Sequence, residues 1–125
     1  CCIEPRIAAA ALVAPAFILM PRLLGAPAAA GPPVLVLNGS VDPLVPPAPT
    51  RATTAGFAPP WYFVEIPGAG HSDLIEAVGD PDPPLEVSRQ ALVAFFDEHL
   101  GGASGATSAV LATLAAAGNG VDLAE

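Results

Sequence analysis

Residues 34–46 read VLVLNGSVDPLVP and indicate the class of fold that the chain adopts. The first four residues are apolar, two of them are β-branched, and two prolines precede them. A short strand with apolar side chains on both faces is typical of a parallel sheet that helices cover on each side. Residues 34–38 are therefore predicted to form a buried strand, and the residues after them to form the loop that leaves it.

Two more stretches are predicted to be strands of the same sheet. Residues 61–66 (WYFVEI) are rich in aromatic and β-branched side chains, and residues 7–14 (IAAAALVA) form a continuous apolar run. The segments between the three strands are about 20 residues long, which suits crossovers between parallel strands and is too long for hairpins. The prediction is an α/β fold whose three parallel strands belong to a larger, doubly wound parallel sheet.

The clearest predicted helix covers residues 83–100. Asp82 is a good N-cap, Pro83 suits the first helical position, and two glycines end the helix. Residues 1–102 are predicted to form one domain part, and residues 103–125 a linker and a C-terminal tail helix that either packs back or is loosely attached. Shorter helices are predicted over residues 47–58, 72–78 and 107–117, and an extended piece over residues 121–125.

Composition excludes several classes of partner and site. Four Lys and Arg against 12 Asp and Glu leave a formal charge of −8, whereas nucleic acids and anionic membranes need clustered cations. Residues 7–20 are too short for a membrane span. Cys1 and Cys2 are adjacent and poorly placed for a disulfide, so cysteine usage does not reveal the compartment. Two histidines without spaced co-ligands predict no metal site, and no cofactor is expected.

Two titratable residues follow predicted strands and are the candidates for catalysis. Asp42 lies in the loop after residues 34–38. His71 lies in the string GAGHS, shortly after residues 61–66. The carboxyl ends of parallel strands meet at one edge of a sheet, where active sites of such folds form. A carboxylate that accepts from one imidazole nitrogen fixes the tautomer and stabilises the imidazolium, so the two are predicted to be a catalytic acid and base.

The arrangement of these motifs resembles a known family. Gly-x-x-Asp-x-x-x-Pro (residues 39–46) follows an apolar strand, Gly-x-Gly-His (residues 68–71) follows the next, and an amphipathic helix comes after them. Acid before histidine is the chain order of the α/β-hydrolases, and residues 1–102 resemble the C-terminal half of that family. Within the family, the likeness is greatest to the dienelactone hydrolase, chlorophyllase and polyester-hydrolase branch.

The resemblance implies a fold and an activity. The fold would be the C-terminal portion of an α/β-hydrolase domain. The activity would be hydrolysis of a small-molecule carboxylic ester through an acyl-enzyme, without a cofactor. Asp42 would orient His71, and His71 would act as general base and then as general acid.

The nucleophile of that family is missing from the sequence. It lies on a Gly-x-Ser-x-Gly elbow, and no such string occurs here. We therefore expect the nucleophile and the oxyanion hole upstream of Cys1, and this chain alone, as a fragment or processed chain, to be inactive. None of the chain's serines has the flanking glycines: Ser40, Ser72, Ser88, Ser104 and Ser108.

Several alternatives stay open at this point. If the sheet ends at residues 7–14, its hydrophobic edge invites association, so the expected partner is the N-terminal portion of the same domain or a second copy. The chain is otherwise a non-catalytic binding or structural module on a hydrolase scaffold, or part of a peptidase, acyltransferase or dehalogenase. Structural roles are predicted for the remaining conspicuous residues: His99 at a helix end, Asp73 and Glu76 in solvent or at a helix cap, and Phe17, Phe57 and Trp61 in packing.

Overall fold

The computed structural model describes residues 6–16, 31–77 and 81–125. It confirms an α/β arrangement, in which four strands form one sheet and three helices pack on it. Cys1, Cys2, Phe17 and the end of the helix predicted at 72–78 lie outside the described residues. The elements, in chain order, are β1 (Ala10–Val13), β2 (Val34–Gly39), α1 (Pro47–Thr54), β3 (Trp61–Ile66), α2 (Pro83–His99), α3 (Ala106–Ala116) and β4 (Gly120–Ala124).

The strands lie in the order β1-β2-β3-β4. The three strands predicted to be parallel are parallel, with Leu35 of β2 between Ala11 of β1 and Tyr62 of β3. β4 runs antiparallel to β3, so the sheet is mixed and the prediction of a purely parallel sheet is wrong for this part of it. Two helices, α2 and α3, separate β4 from β3 in the chain, and the turn into β4 contains Gly118, whose φ of 97° favours glycine.

Helices cover both faces of the sheet, as the apolar pattern of β2 predicts. On one face, Leu35 and Leu37 pack with residues of α2 and α3, among them Phe95 and Leu111. On the other face, Val36 packs with Phe63, and α1 lies over these strands. Leu35, Val36 and Leu37 are fully buried, which is why the stretch has no polar side chain before Asn38.

α2 begins where its capping signals predict. The Asp82 carboxylate accepts a hydrogen bond from the backbone N–H of Leu85 at 3.1 Å, and prolines occupy the first turn. The helix ends at His99, one residue before the predicted end. Its buried face, which includes Ala91 and Phe95, packs on the sheet and ties α2 to the core.

The tail packs back on the sheet and on α2. α3 contacts α2, and the Glu98 carboxylate accepts a hydrogen bond from the backbone N–H of Thr107 at 2.8 Å. β4 then pairs with β3 along its whole length. Of the two alternatives for the tail, the structure therefore shows the docked one, while the division after residue 102 stays a prediction.

The helix predicted over residues 72–78 is not formed in its described part. Residues 72–76 make a single turn, in which the backbone N–H groups of Ile75 and Glu76 donate to the carbonyl of Ser72. The Asp73 carboxylate accepts from the N–H of Gly70 instead of capping a helix. In the part of the chain that the structure describes, no helix has the length and apolar character needed to span a membrane.

Candidate functional site

The loops after β2 and β3 are bound to each other through their backbones. The N–H of Ser40 donates to the carbonyl of Ile66 at 3.0 Å, and the N–H of Val41 donates to the carbonyl of Ala69 at 3.1 Å. The Ser40 hydroxyl also accepts from the N–H of Gly68 at 2.9 Å. These bonds fix the loop after β2 beside the loop after β3, at the edge of the sheet where the parallel strands end.

Asp42 and His71 meet at this edge. Oδ2 of Asp42 and Nδ1 of His71 are 2.8 Å apart, although the two residues are 29 positions apart in the sequence, because the strands that precede them are neighbours in the sheet. The Asp42 side chain is completely buried, whereas 41% of the His71 side chain is exposed. The predicted juxtaposition is therefore present, and the two side chains differ in access to solvent.

The second carboxylate oxygen of Asp42 is bound by its own loop. Oδ1 accepts from the backbone N–H groups of Leu44 and Val45, each at 2.8 Å. Burial by itself raises the pKa of Asp42, but the hydrogen bonds from Val45, His71 and Leu44 together outweigh it and hold the pKa below its ordinary value. Asp42 is therefore ionised at neutral pH and favours an Nδ1–H tautomer of His71.

The imidazole of His71 presents its other nitrogen away from this contact. Among residues 6–16, 31–77 and 81–125, none forms a hydrogen bond with Nε2 of His71. Gly68 has a φ of 73°, and Gly70 donates its N–H to Asp73, so the loop turns sharply before the histidine. The ring is thus held at Nδ1, while 41% of the side chain is exposed to solvent.

Asn38 is a residue of the site that the sequence analysis did not single out. Its side chain is fully buried at the end of β2, and its amide nitrogen donates to the carbonyls of Val45 at 2.9 Å and Gly39 at 3.1 Å. The sequence signal that could have identified Asn38 is a polar residue near the end of an otherwise apolar buried strand.

Exposed apolar side chains lie on the two loops that carry the pair. Val41 and Leu44 flank Asp42 and are 61% and 67% exposed, and Ile75, four residues after His71, is 63% exposed. The loops that carry Asp42 and His71 therefore present apolar side chains to solvent.

Three other residues singled out in the sequence make packing contacts. Trp61 and Phe57 pack against the cluster of Val36 and Phe63. His99 ends α2, and its ring packs on Phe95 with centroids 4.7 Å apart. The residues that the structure describes hold no group of three metal-ligating side chains.

Two surface grooves lie away from the pair. One runs between α2 and α3 and is lined by Val93 and Val110, and the other lies at the start of α2 around Leu85. Neither is lined by Asp42 or His71. The grooves therefore offer no substrate pocket for this pair.

Comparisons with known proteins found no match, so a functional assignment rests on the geometry of the site. No family model matches the chain, and no curated protein or solved structure is significantly similar to it.

Proposed function

We propose that Asp42 and His71 are the acid and base of a serine hydrolase that cleaves carboxylic esters through an acyl-enzyme. The observation that carries this proposal is the 2.8 Å contact between Oδ2 of the buried carboxylate and Nδ1 of a half-exposed imidazole. The contact lies where the loops leave two parallel strands, an edge that hosts active sites in such sheets.

The chemistry assigned to the chain is proton transfer at Nε2 of His71. The unprotonated Nε2 takes the proton of a serine hydroxyl as its oxygen bonds to the ester carbonyl carbon. The imidazolium, stabilised by Asp42, then protonates the alcohol oxygen as the carbon–oxygen ester bond breaks. In the second half, Nε2 takes a proton from water, whose oxygen bonds to the acyl carbon, and returns a proton to the departing serine oxygen.

The serine is assigned by the family resemblance to a segment upstream of Cys1. On the same resemblance, the four strands belong to a larger α/β-hydrolase sheet. Two observations support this: the acid follows β2 and the base follows β3, in the chain order of the family, and β1 pairs with β2 alone among the described strands. The N-terminal portion of the domain would continue the sheet at β1.

An apolar ester is the substrate class that the loops favour. Val41, Leu44 and Ile75 are exposed beside the pair, and a charged or strongly polar substrate would gain nothing from them.

The test compares this chain with a longer protein that also carries the segment preceding Cys1. The longer protein should hydrolyse p-nitrophenyl butyrate and react with a fluorophosphonate probe, and the 125-residue chain should do neither. His71→Ala in the longer protein should abolish turnover and leave the circular dichroism spectrum unchanged. His99→Ala is the matched control, because it removes the other histidine of the chain, whose ring packs on Phe95.

Two results would contradict the proposal. A longer protein that folds but neither turns over esters nor reacts with the probe would favour the non-catalytic module instead. Unchanged turnover in His71→Ala would show that another group acts as the base.

A further inference from the structure

Asn38 connects the end of β2 to the loop that holds Asp42. The side chain is 0% exposed, and its amide nitrogen lies 2.9 Å from the carbonyl oxygen of Val45, seven residues further along the chain. The same nitrogen donates to the carbonyl of Gly39 at 3.1 Å. A single buried amide therefore closes the loop of residues 39–45 at both ends.

Both backbone polar groups of Val45, its N–H and its carbonyl, are hydrogen-bonded to side chains. Its carbonyl accepts from Asn38, while its N–H donates to Oδ1 of Asp42 at 2.8 Å. Oδ2 of Asp42 in turn bonds Nδ1 of His71 at 2.8 Å. The bonds run in series from Asn38 through Val45 and Asp42 to His71, so a displacement at one end is passed to the other.

We propose that Asn38 is a positioning residue that aims the Asp42 carboxylate at His71 through Val45. This inference rests on the proposed role of the pair as acid and base. The hydrogen bonds of the Asn38 side chain go to Gly39 and Val45 and not to Asp42 or His71, so Asn38 acts through the loop that it closes.

The role requires a donor and not merely a polar group. Both acceptors are carbonyl oxygens. The side-chain amide must therefore point its nitrogen at them, because a flipped amide would place Oδ1 of Asn38 against two other oxygens. Within the described residues, Oδ1 of Asn38 has no hydrogen-bond partner although it is buried. The contacts that link this side chain to the loop are therefore those of its nitrogen.

The experiment uses the full chain and nuclear magnetic resonance, so that it does not depend on ester turnover. In the unmutated protein, the side-chain amide protons of Asn38 should exchange slowly with solvent, and His71 should show a downfield Nδ1 proton. In Asn38→Leu, which matches the shape of asparagine without donors, the Nδ1 resonance should be lost. The pKa of Asp42 should rise in that variant, because the Val45 N–H is no longer held in place.

Thr54→Val is the matched control. The Thr54 hydroxyl is buried and donates to the carbonyl of Thr50 at 2.9 Å, so the variant also loses a buried bond from a side chain to the backbone, but away from both loops. It should lose stability and keep the Nδ1 resonance. If Asn38→Leu does not fold, the same measurements are made on Asn38→Ala, which removes the donor and leaves a smaller side chain.

Each outcome decides the proposal. Rapid exchange of the Asn38 amide protons in the unmutated protein would overturn it. So would a folded Asn38→Leu or Asn38→Ala variant that keeps the Nδ1 resonance and the pKa of Asp42. If the positioning results hold and the longer protein still hydrolyses no ester, the proposed function fails while the role of Asn38 stands.

Discussion

At the scale of single residues, Gly39 shows how closely the two loops approach. A Cβ atom at this position would lie 2.2 Å from the carbonyl oxygen of Ala69, far inside van der Waals contact. The obstacle is backbone, so it cannot rotate away as a side chain would. The absence of a side chain at Gly39 is therefore a condition for the contact between Asp42 and His71.

Gly39→Ala should destabilise the protein by about 1–3 kcal/mol, since it forces atoms into a packed region. The free energy of unfolding, measured by urea titration, would show this. Gly31→Ala is the matched control, because a Cβ at Gly31 meets no atom of residues 6–16, 31–77 and 81–125 within 4 Å, and it should leave the unfolding midpoint nearly unchanged. Equal midpoints for the two variants would mean that the loops do not approach as described.

Asp42 should make stability depend on acid pH. Its pKa in the folded protein lies below the ordinary value of 3.8, so its stabilising contribution is complete above that value and is lost as the pH falls through the lower, folded value. Asp42→Asn should lose stability at neutral pH and show a weaker decline in acid, measured as the urea midpoint from pH 6 down to pH 2. Asp97→Asn, which removes a carboxylate from an exposed position of α2, serves as the control. If stability declined as steeply in Asp42→Asn as in the unmutated protein, the hydrogen bonds from Leu44, Val45 and His71 would not be what lowers the pKa of Asp42.

At the scale of elements, Arg51 of α1 holds the last strand in place. Its guanidinium donates to the carboxylates of Glu65 on β3 and Asp122 on β4, and lies 4.8 Å from the centre of the Phe63 ring. β4 is an edge strand whose other hydrogen-bonding side has no partner among the described strands, so side-chain contacts of this kind add to its pairing with β3.

Arg51→Met should loosen β4 more than it lowers global stability. The ion pairs are about one-third exposed, and such pairs, together with the ring contact, contribute on the order of 1–2 kcal/mol. Backbone amides of β4 should exchange faster with solvent, while those of β2 stay protected. Arg89→Met is the matched control, because Arg89 pairs with Glu86 on the surface of α2. Equal exchange in β4 for both variants would contradict the proposed role.

At the scale of the whole molecule, the docked tail buries the single tyrosine of the chain. Tyr62 lies on the sheet face that α2 and α3 cover, and its ring packs edge-on against Phe95. Burial, followed by the charges of Glu98 and Glu125, raises the pKa of Tyr62 to about 12. This pKa therefore reports whether the tail stays on the sheet.

The absorbance of tyrosinate should rise with a midpoint near pH 12, above the ordinary value of 10.0. Because the folded pKa is raised, the contribution of Tyr62 to stability should be constant below pH 10 and should fall as the pH rises from 10 to about 12. Tyr62→Phe should remove that alkaline decline. A chain that ends at Gly105, without α3 and β4, should titrate nearer to 10, and a midpoint near 10 in the intact chain would show that the tail is not docked.

The edge of β1 should make the isolated chain associate or unfold readily. Within the described residues, β1 pairs with β2 alone and its four residues are only partly buried. An unpaired apolar edge is a template for another strand. Light scattering should find oligomers, and Leu12→Lys should shift them towards monomer, because a charge on an edge strand opposes pairing. A stable monomer of the unmutated chain would contradict this expectation.

The sequence alone predicted the α/β class, three of the four strands and the start of α2. It also predicted a helix at residues 107–117 and an extended piece at residues 121–125, where α3 and β4 form. The signals are local: apolar runs of strand length in residues 34–38 and 61–66, and a capping residue followed by proline at Asp82. Asp42 and His71 could be nominated for a similar reason, since each follows a strand in a loop with glycine. Sequence order alone then indicated that they share one edge of the sheet.

Only the tertiary structure decided the direction of β4, the single turn after His71 and the place of Asn38. Each depends on contacts between residues far apart in the chain or on loop geometry that no local pattern encodes. β4 pairs with β3 although α2 and α3 separate the two strands in the chain, and Asn38 binds Val45 because the loop returns to the strand end. The pattern of side chains predicts which segments are buried, whereas the partner of each buried polar group is chosen by how the segments come together.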